Sequence, residues 1–263
     1  NRTPLFFLVF SSLFFSKLCL ALKLHNNNNI LDDAKALLAF KGNLTNPSIL
    51  ASSWKNMNQI CTSWIGVTCS DIIITDNLVD TSLNRYLPSN LMYRRVRSLH
   101  LPGKELYGPI CVGTLGKLDM LVTLSLHHNR LTGTLPYDLI NCTSLREVYL
   151  SHNLLHGNLA PSSSSSVDDP PTTVIPWPPL LQHLDLSFNN FSGEIPWSFD
   201  NLGNLRILAL QNNTITGSIP SLPRISTKLR SFNVANNNLD GSIPHSLSRF
   251  PEESFIGNSG LCG

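Results

Sequence analysis

Residues 121–136 read LVTLSLHHNRLTGTLP, and the same phrase then returns along the chain. It recurs as LREVYLSHNLLHGNLA at 145–160, LQHLDLSFNNFSGEIP at 181–196, LRILALQNNTITGSIP at 205–220 and LRSFNVANNNLDGSIP at 229–244. The copies start 24 residues apart, except for one interval of 36 between 145 and 181. A poorer sixth copy, VRSLHLPGKELYGPIC, occupies 96–111 and leads the next by 25 residues. A unit of this size cannot bury its own apolar face, so a fixed period implies units stacked into a solenoid.

Each recurring position has a physical task. Leu124 and Leu126 alternate along a short strand and point inward together. Asn129, Asn153, Asn189, Asn213 and Asn237 follow where the chain leaves the strand. An inward amide there can satisfy backbone groups that a turn leaves unpaired, and stacked copies make a ladder. The later glycines free the backbone for the next bend. Pro136, Pro196, Pro220 and Pro244 fix φ as the chain enters the convex side. The pattern L-x-x-L-x-L-x-x-N-x-L is that of leucine-rich repeats. The expected fold is α/β: a solenoid of six repeats over 96–250, with a parallel β-sheet on its concave face.

Upstream, Leu5–Phe15 (LFFLVFSSLFF) is apolar, follows Arg2 and is short for a bilayer span. Residues 1–24 are expected to be a signal peptide, with a membrane anchor or buried strand as the competing reading. Asp32 and Asp33 suit a helix start, and Leu31, Ala34, Leu37 and Leu38 share one face of that helix. Cys61 and Cys69 flank Trp64 and Gly66. In a secreted chain this pair reads as a local disulfide stapling the open N-terminal edge, against free thiols or a metal site.

The DDAKALLAFK helix, Trp54, the WIGVTC run and the GxIP-type repeats resemble plant extracellular leucine-rich-repeat proteins. RVRSLHLPGKELYGPI, LRSFNVANNNLDGSIP and SLSRFPEESFIGNSGLCG resemble, more narrowly, the short-ectodomain receptor-like kinases of subfamily III. The resemblance implies an N-terminal cap over 25–95 and the start of a C-terminal cap at 251–263, cut before its second cysteine. It also implies a membrane span and a kinase segment downstream of Gly263. The chain departs from the family in a long connection at 70–95, in Lys104 standing where later units have Asn, and in a Ser- and Pro-rich insertion, 161–179. That composition suggests an exposed loop that the fold tolerates; a partner-binding lasso through Trp177 is the alternative.

Sequons at Asn43, Asn141, Asn190 and Asn212 are expected glycosylation sites. Cys111 and Cys142 are expected to be buried free thiols. Composition adds little: 42% of the 263 residues are apolar, 14% charged, and the formal charge of +2 does not call for nucleic acid. Nucleophile elbow, zinc-protease helix, phosphate loop and kinase signatures are all missing, so no catalytic residue, cofactor or metal is assigned. The outward face offers a binding surface instead. Its N-terminal half, with His100, His127, Tyr149, His152, His183, Asp185 and Phe188, is richest in aromatic and ionisable groups. An extracellular peptide or another leucine-rich-repeat ectodomain is the expected partner, as for a receptor-like kinase in signalling. A secreted protein acting alone, such as an inhibitor of a microbial wall-degrading enzyme, is the alternative.

Overall fold

The computed structural model describes residues 30–74, 79–80, 85–86, 91–159 and 177–263. The expected leader and most of the insertion lie outside these residues. The chain opens on the helix Ile30–Gly42, whose Ala34, Ala36, Leu37 and Phe40 are buried. The buried face is therefore rotated from the sequence expectation: Leu31 is exposed and Leu38 only half-buried. After the short helix Ser48–Ser53, Trp54 stacks on Trp64 with centroids 5.2 Å apart and planes at 11°. Each indole N–H finds a carbonyl, Trp54 on Ile65 and Trp64 on Asn56, both at 3.0 Å. Cys61 and Cys69 are disulfide-bonded beside this pair.

Val67–Ile74 runs antiparallel to Leu91–His100. Val67–Ile74 is the edge strand of the concave sheet and Leu91–His100 the next. Parallel strands follow at Thr123–Ser125, Glu147–Tyr149, His183–Asp185, Ile207–Ala209 and Ser231–Asn233, one per repeat. Their register is uniform: Leu99, Leu124, Val148, Leu184, Leu208 and Phe232 form one inward column, each at most 1% exposed. That shared core is what stacking buries and a single unit cannot. A further set of strands, hidden in the sequence behind the Gly-Pro turns, follows each ladder asparagine. Tyr107–Pro109, Arg130–Gly133, Leu154–Asn158 and Asn190–Ser192 make one parallel sheet. Thr216–Ser218, Asn238–Ser242 and Gly260–Cys262 make another. Gly157 sits in one of these strands at φ 95, and a Cβ there would lie 2.7 Å from Thr134 Cγ2.

The asparagine ladder runs through the core. Asn153 Oδ1 accepts from Leu131 N at 2.9 Å, and its Nδ2 donates to the Leu126 and Leu150 carbonyls at 3.0 Å. Asn189, Asn213 and Asn237 repeat this pattern. Asn129 serves the first repeat, which has no asparagine of its own, by accepting from Lys104 N and Leu106 N. A sixth rung comes from the C-terminal cap. Asn258 accepts from Leu239 N and donates to Val234 O, so residues 254–262 continue the stack as a partial turn.

Asp33 does more than start a helix. It is 1% exposed and takes a bidentate pair from the equally buried Arg95, at 2.8 and 3.0 Å, plus Val96 N at 2.8 Å. The Arg95 Nη2 that donates to Asp33 also donates to Asp119, at 2.5 Å. Burial works to raise the Asp33 carboxyl pKa against the guanidinium's pull, and the two carboxylates raise that of Arg95 despite its burial. Cys142 is buried and free as expected, but Cys111 is only half-buried. Trp177 projects to no partner: it is buried against Phe199, with centroids 5.7 Å apart.

Candidate partner-binding face

The outward residues of the strands form a floor, and the rings at its N-terminal end touch in sequence. His100 meets His127 edge-on at 6.3 Å, His127 meets Tyr149 at 6.4 Å, and Tyr149 tilts onto His183 at 4.4 Å. Ser125 alternates with the inward Leu124 and Leu126 and lies level with His100 and Tyr149 on the neighbouring strands, yet it is only 1% exposed. Its hydroxyl lies 3.1 Å from His127 Nδ1. Asp185, also expected on this face, turns its carboxylate back to Ser187, accepting from the amide at 3.0 Å and the hydroxyl at 2.6 Å.

His152 and Phe188 do not join that floor. Each immediately precedes a ladder asparagine and adopts a left-handed backbone, φ 53 at both. His128 holds the same conformation one repeat earlier, φ 55. At each of these positions the asparagine that follows turns inward, while the side chain before it lies at the sheet's edge. Side chains one repeat apart then stack. His128 lies on His152 at 4.2 Å, and His152 on Phe188 at 4.1 Å with planes 12° apart. Asn212 and Asn236 continue the column through an amide–amide hydrogen bond of 3.2 Å. His128 is not among the residues expected on this face from sequence; its signal was the place before Asn129.

Floor and edge meet where His127 faces His128, at 5.3 Å. Burial lowers the pKa of His127, and the neighbouring His128 and His100 add to the effect. Burial and then His128 lower that of His152. Burial also lowers that of His183, opposed by Asp185 and Glu147. Tyr149 is raised by burial and then by those same two carboxylates. His127, His152, His183 and Tyr149 are thus all biased toward their neutral forms. Among the described residues no group of three or more His, Cys, Asp or Glu is arranged to hold a metal ion, and no helix is long and apolar enough to cross a membrane. Of the sequons, Asn141 and Asn190 are exposed, Asn43 is half-buried, and the Asn212 amide is engaged by Asn236.

The "Leucine rich repeat N-terminal domain" family matches residues 30–70. The "Leucine Rich Repeat" family matches 120–142, 180–202, 204–224 and 228–250. Pollen receptor-like kinase 4 of Arabidopsis thaliana is 33% identical over 248 residues, 88% of this chain and 29% of that protein. Among solved structures, a pollen receptor kinase 3 superposes with a TM-score of 0.60 at 28% identity, covering 81% of this chain and 88% of the other. A chain of the BIR3–SERK2 complex from Arabidopsis thaliana superposes with 0.51 at 30% identity, covering 87% and 94%. The chain spans 15% to 31% of the length of the curated relatives it matches. With its capped N-terminus, disulfide, asparagine ladder and paired sheets, the chain belongs to the leucine-rich-repeat family, and its relatives are plant leucine-rich-repeat receptor-like kinases.

Proposed function

We propose that this domain is an extracellular recognition module that binds a peptide or another leucine-rich-repeat ectodomain through the N-terminal half of its concave face. The observation that carries the reading is the contiguous ring surface from His100 through His183, joined to the His128–His152–Phe188 edge column. Rings present large contact area at low entropic cost and concentrate binding energy. The disulfide agrees with an oxidising compartment. The greater length of the relatives supports a membrane span and a kinase segment beyond Gly263. The domain would then face the cell exterior at the plasma membrane. That a similar chain occurs in the BIR3–SERK2 complex supports the second class of partner.

The test is a binding screen of secreted residues 25–263 against extracellular peptides and leucine-rich-repeat ectodomains by biolayer interferometry. A true partner should lose about tenfold in affinity with Tyr149→Ala or His152→Ala, as anchors near the centre of an interface do. A partner bound equally by both variants would move the interface elsewhere.

A further inference from the structure

One edge of the concave sheet carries a charge pattern that the ring surface does not use. The residues entering the strands stack through their backbones. Val122 N donates to Arg97 O, Arg146 N to Val122 O, Gln182 N to Arg146 O, Arg206 N to Gln182 O and Arg230 N to Arg206 O, all at 2.7–2.8 Å. Four of these six positions are arginine. Among the described residues none of the four lies within ion-pair distance of a carboxylate. Arg97 and Arg146 are close enough that each opposes the other's charge. The nearby carboxylates are engaged elsewhere: Thr123 Oγ1 donates to Glu147 at 3.1 Å, and Asp185 is held by Ser187. The face is thus polarised across its width, basic where the chain enters four of the six strands and ring-lined at the opposite edge of its N-terminal half.

Spacing along the solenoid axis narrows the ligand further. Arg97, Arg146 and Arg206 sit on alternate strands, so they recur about every 9.6 Å for strands ~4.8 Å apart. A polyproline-II chain rises ~3.1 Å per residue with three residues per turn, so equivalent side chains recur about every 9.3 Å. Such a peptide turns the same side to the arginines once per turn. In a β-strand, same-face side chains recur about every 6.8 Å and would fall out of step with them. Ring-lined grooves are also the surfaces that suit this preformed, low-entropy helix.

We propose that the concave face takes an acidic peptide in the polyproline-II conformation, lying along the solenoid axis. Its acidic side chains recur at every third residue against Arg97, Arg146 and Arg206, and its apolar side chains rest on Tyr149, His152 and Phe188. This deepens the recognition reading above and rests on it. The test uses the secreted domain at neutral pH and fluorescein-labelled peptides of repeated Glu-Pro-Tyr, Lys-Pro-Tyr and Glu-Gly-Tyr, with an oligogalacturonate as a carboxylated polysaccharide control. Fluorescence anisotropy is expected to show binding of Glu-Pro-Tyr, weaker binding of Glu-Gly-Tyr and none of Lys-Pro-Tyr. Arg97→Gln with Arg146→Gln and Arg206→Gln should weaken Glu-Pro-Tyr by roughly tenfold and flatten its salt dependence, since edge charges act through steering. Matching far-ultraviolet circular dichroism of the variant would establish that it folds. Equal binding of the Glu and Lys peptides, no Glu-Pro-Tyr binding, or an unchanged triple variant would overturn the proposal. So would binding of the oligogalacturonate alone, which would point to a polysaccharide. A partner from the screen that depends on Tyr149 but not on the arginines would leave the recognition reading standing while this inference fails.

Discussion

Arg95 and Asp33, 62 positions apart in sequence, form a bidentate ion pair buried between the N-terminal helix and the first repeat. Asp119 in the next unit closes the network. Apolar packing supports this junction too, but the network fixes how the cap seats on the stack. Asp33→Ala leaves a buried guanidinium without its main partner and should cost roughly 3–5 kcal/mol. Asp33→Asn, which keeps the shape and some of the hydrogen bonds, should cost less. Urea unfolding of the secreted domain checks the order; equal stability of the parent and Asp33→Ala would remove the network from the fold's support.

Replacing a ladder asparagine strands a buried amide and thins the bonding of two carbonyls. Asn153→Ala leaves the Leu131 amide without its acceptor, while the Leu126 and Leu150 carbonyls keep donors from Asn129 and Asn189. At about 1–3 kcal/mol for a buried unsatisfied group, a mid-stack loss of that order is expected. Asn258→Ala disturbs only the terminal turn and should cost less, because a stacked repeat senses only its neighbours. Hydrogen exchange should show the Asn153 variant opening across two repeats and the Asn258 variant only at the end.

Mild acid should loosen the ring surface. His127, His152 and His183 resist protonation in the fold, whereas in the unfolded chain they take protons near ~6.5. Stability present above that pH is lost as pH falls through the lower folded values. Asp185 opposes the loss at all three residues and Glu147 at His183, while His128 adds to it at His127 and His152. Melting curves between about pH 7.5 and 5 should fall more steeply for the parent than for His127→Gln with His152→Gln and His183→Gln. Parallel curves would show that the rings titrate without consequence.

The insertion has a tolerant part and a structural end. Excising twelve residues from 162 to 173 restores the 24-residue interval and should leave secretion and melting nearly unchanged. Trp177→Ala removes a buried indole from Phe199 and should cost roughly 3–5 kcal/mol. If both changes are equally harmful, the whole insertion packs against the stack.

Thiol chemistry separates the cysteines. Burial pushes the Cys142 thiol up to about 12, with Asp138 and Asp119 adding to it, so the folded protein should leave it unalkylated. Exposed Cys262 should react first with iodoacetamide, and Cys61 and Cys69 only after reduction. Peptide mapping by mass spectrometry reads all four; alkylation of Cys142 in native protein would mean the convex side opens readily.

Much of the architecture was legible from residue order alone because a solenoid repeats local instructions. Leu124 and Leu126 alternate over three positions, Asn129 stands three beyond, and the same spacing places every later rung. Phe255 and Asn258 obey that rule as well, so the sixth rung was readable in FIGN although its cap setting concealed it. What the order could not convey was contact between distant segments. Asp33 read as a helix start; neither its pairing with Arg95 nor the burial of Ser125 between the inward Leu124 and Leu126 carries a signal along the chain. Only the folded stack brings the first two together and buries the third. The binding face divides the same way: the sequence placed the histidines on or beside adjacent strands. The left-handed backbone before each ladder asparagine then sent His128, His152 and Phe188 to the edge. Periodicity is a property of neighbours along the chain, whereas burial and ring stacking depend on what the next turn of the solenoid sets beside them.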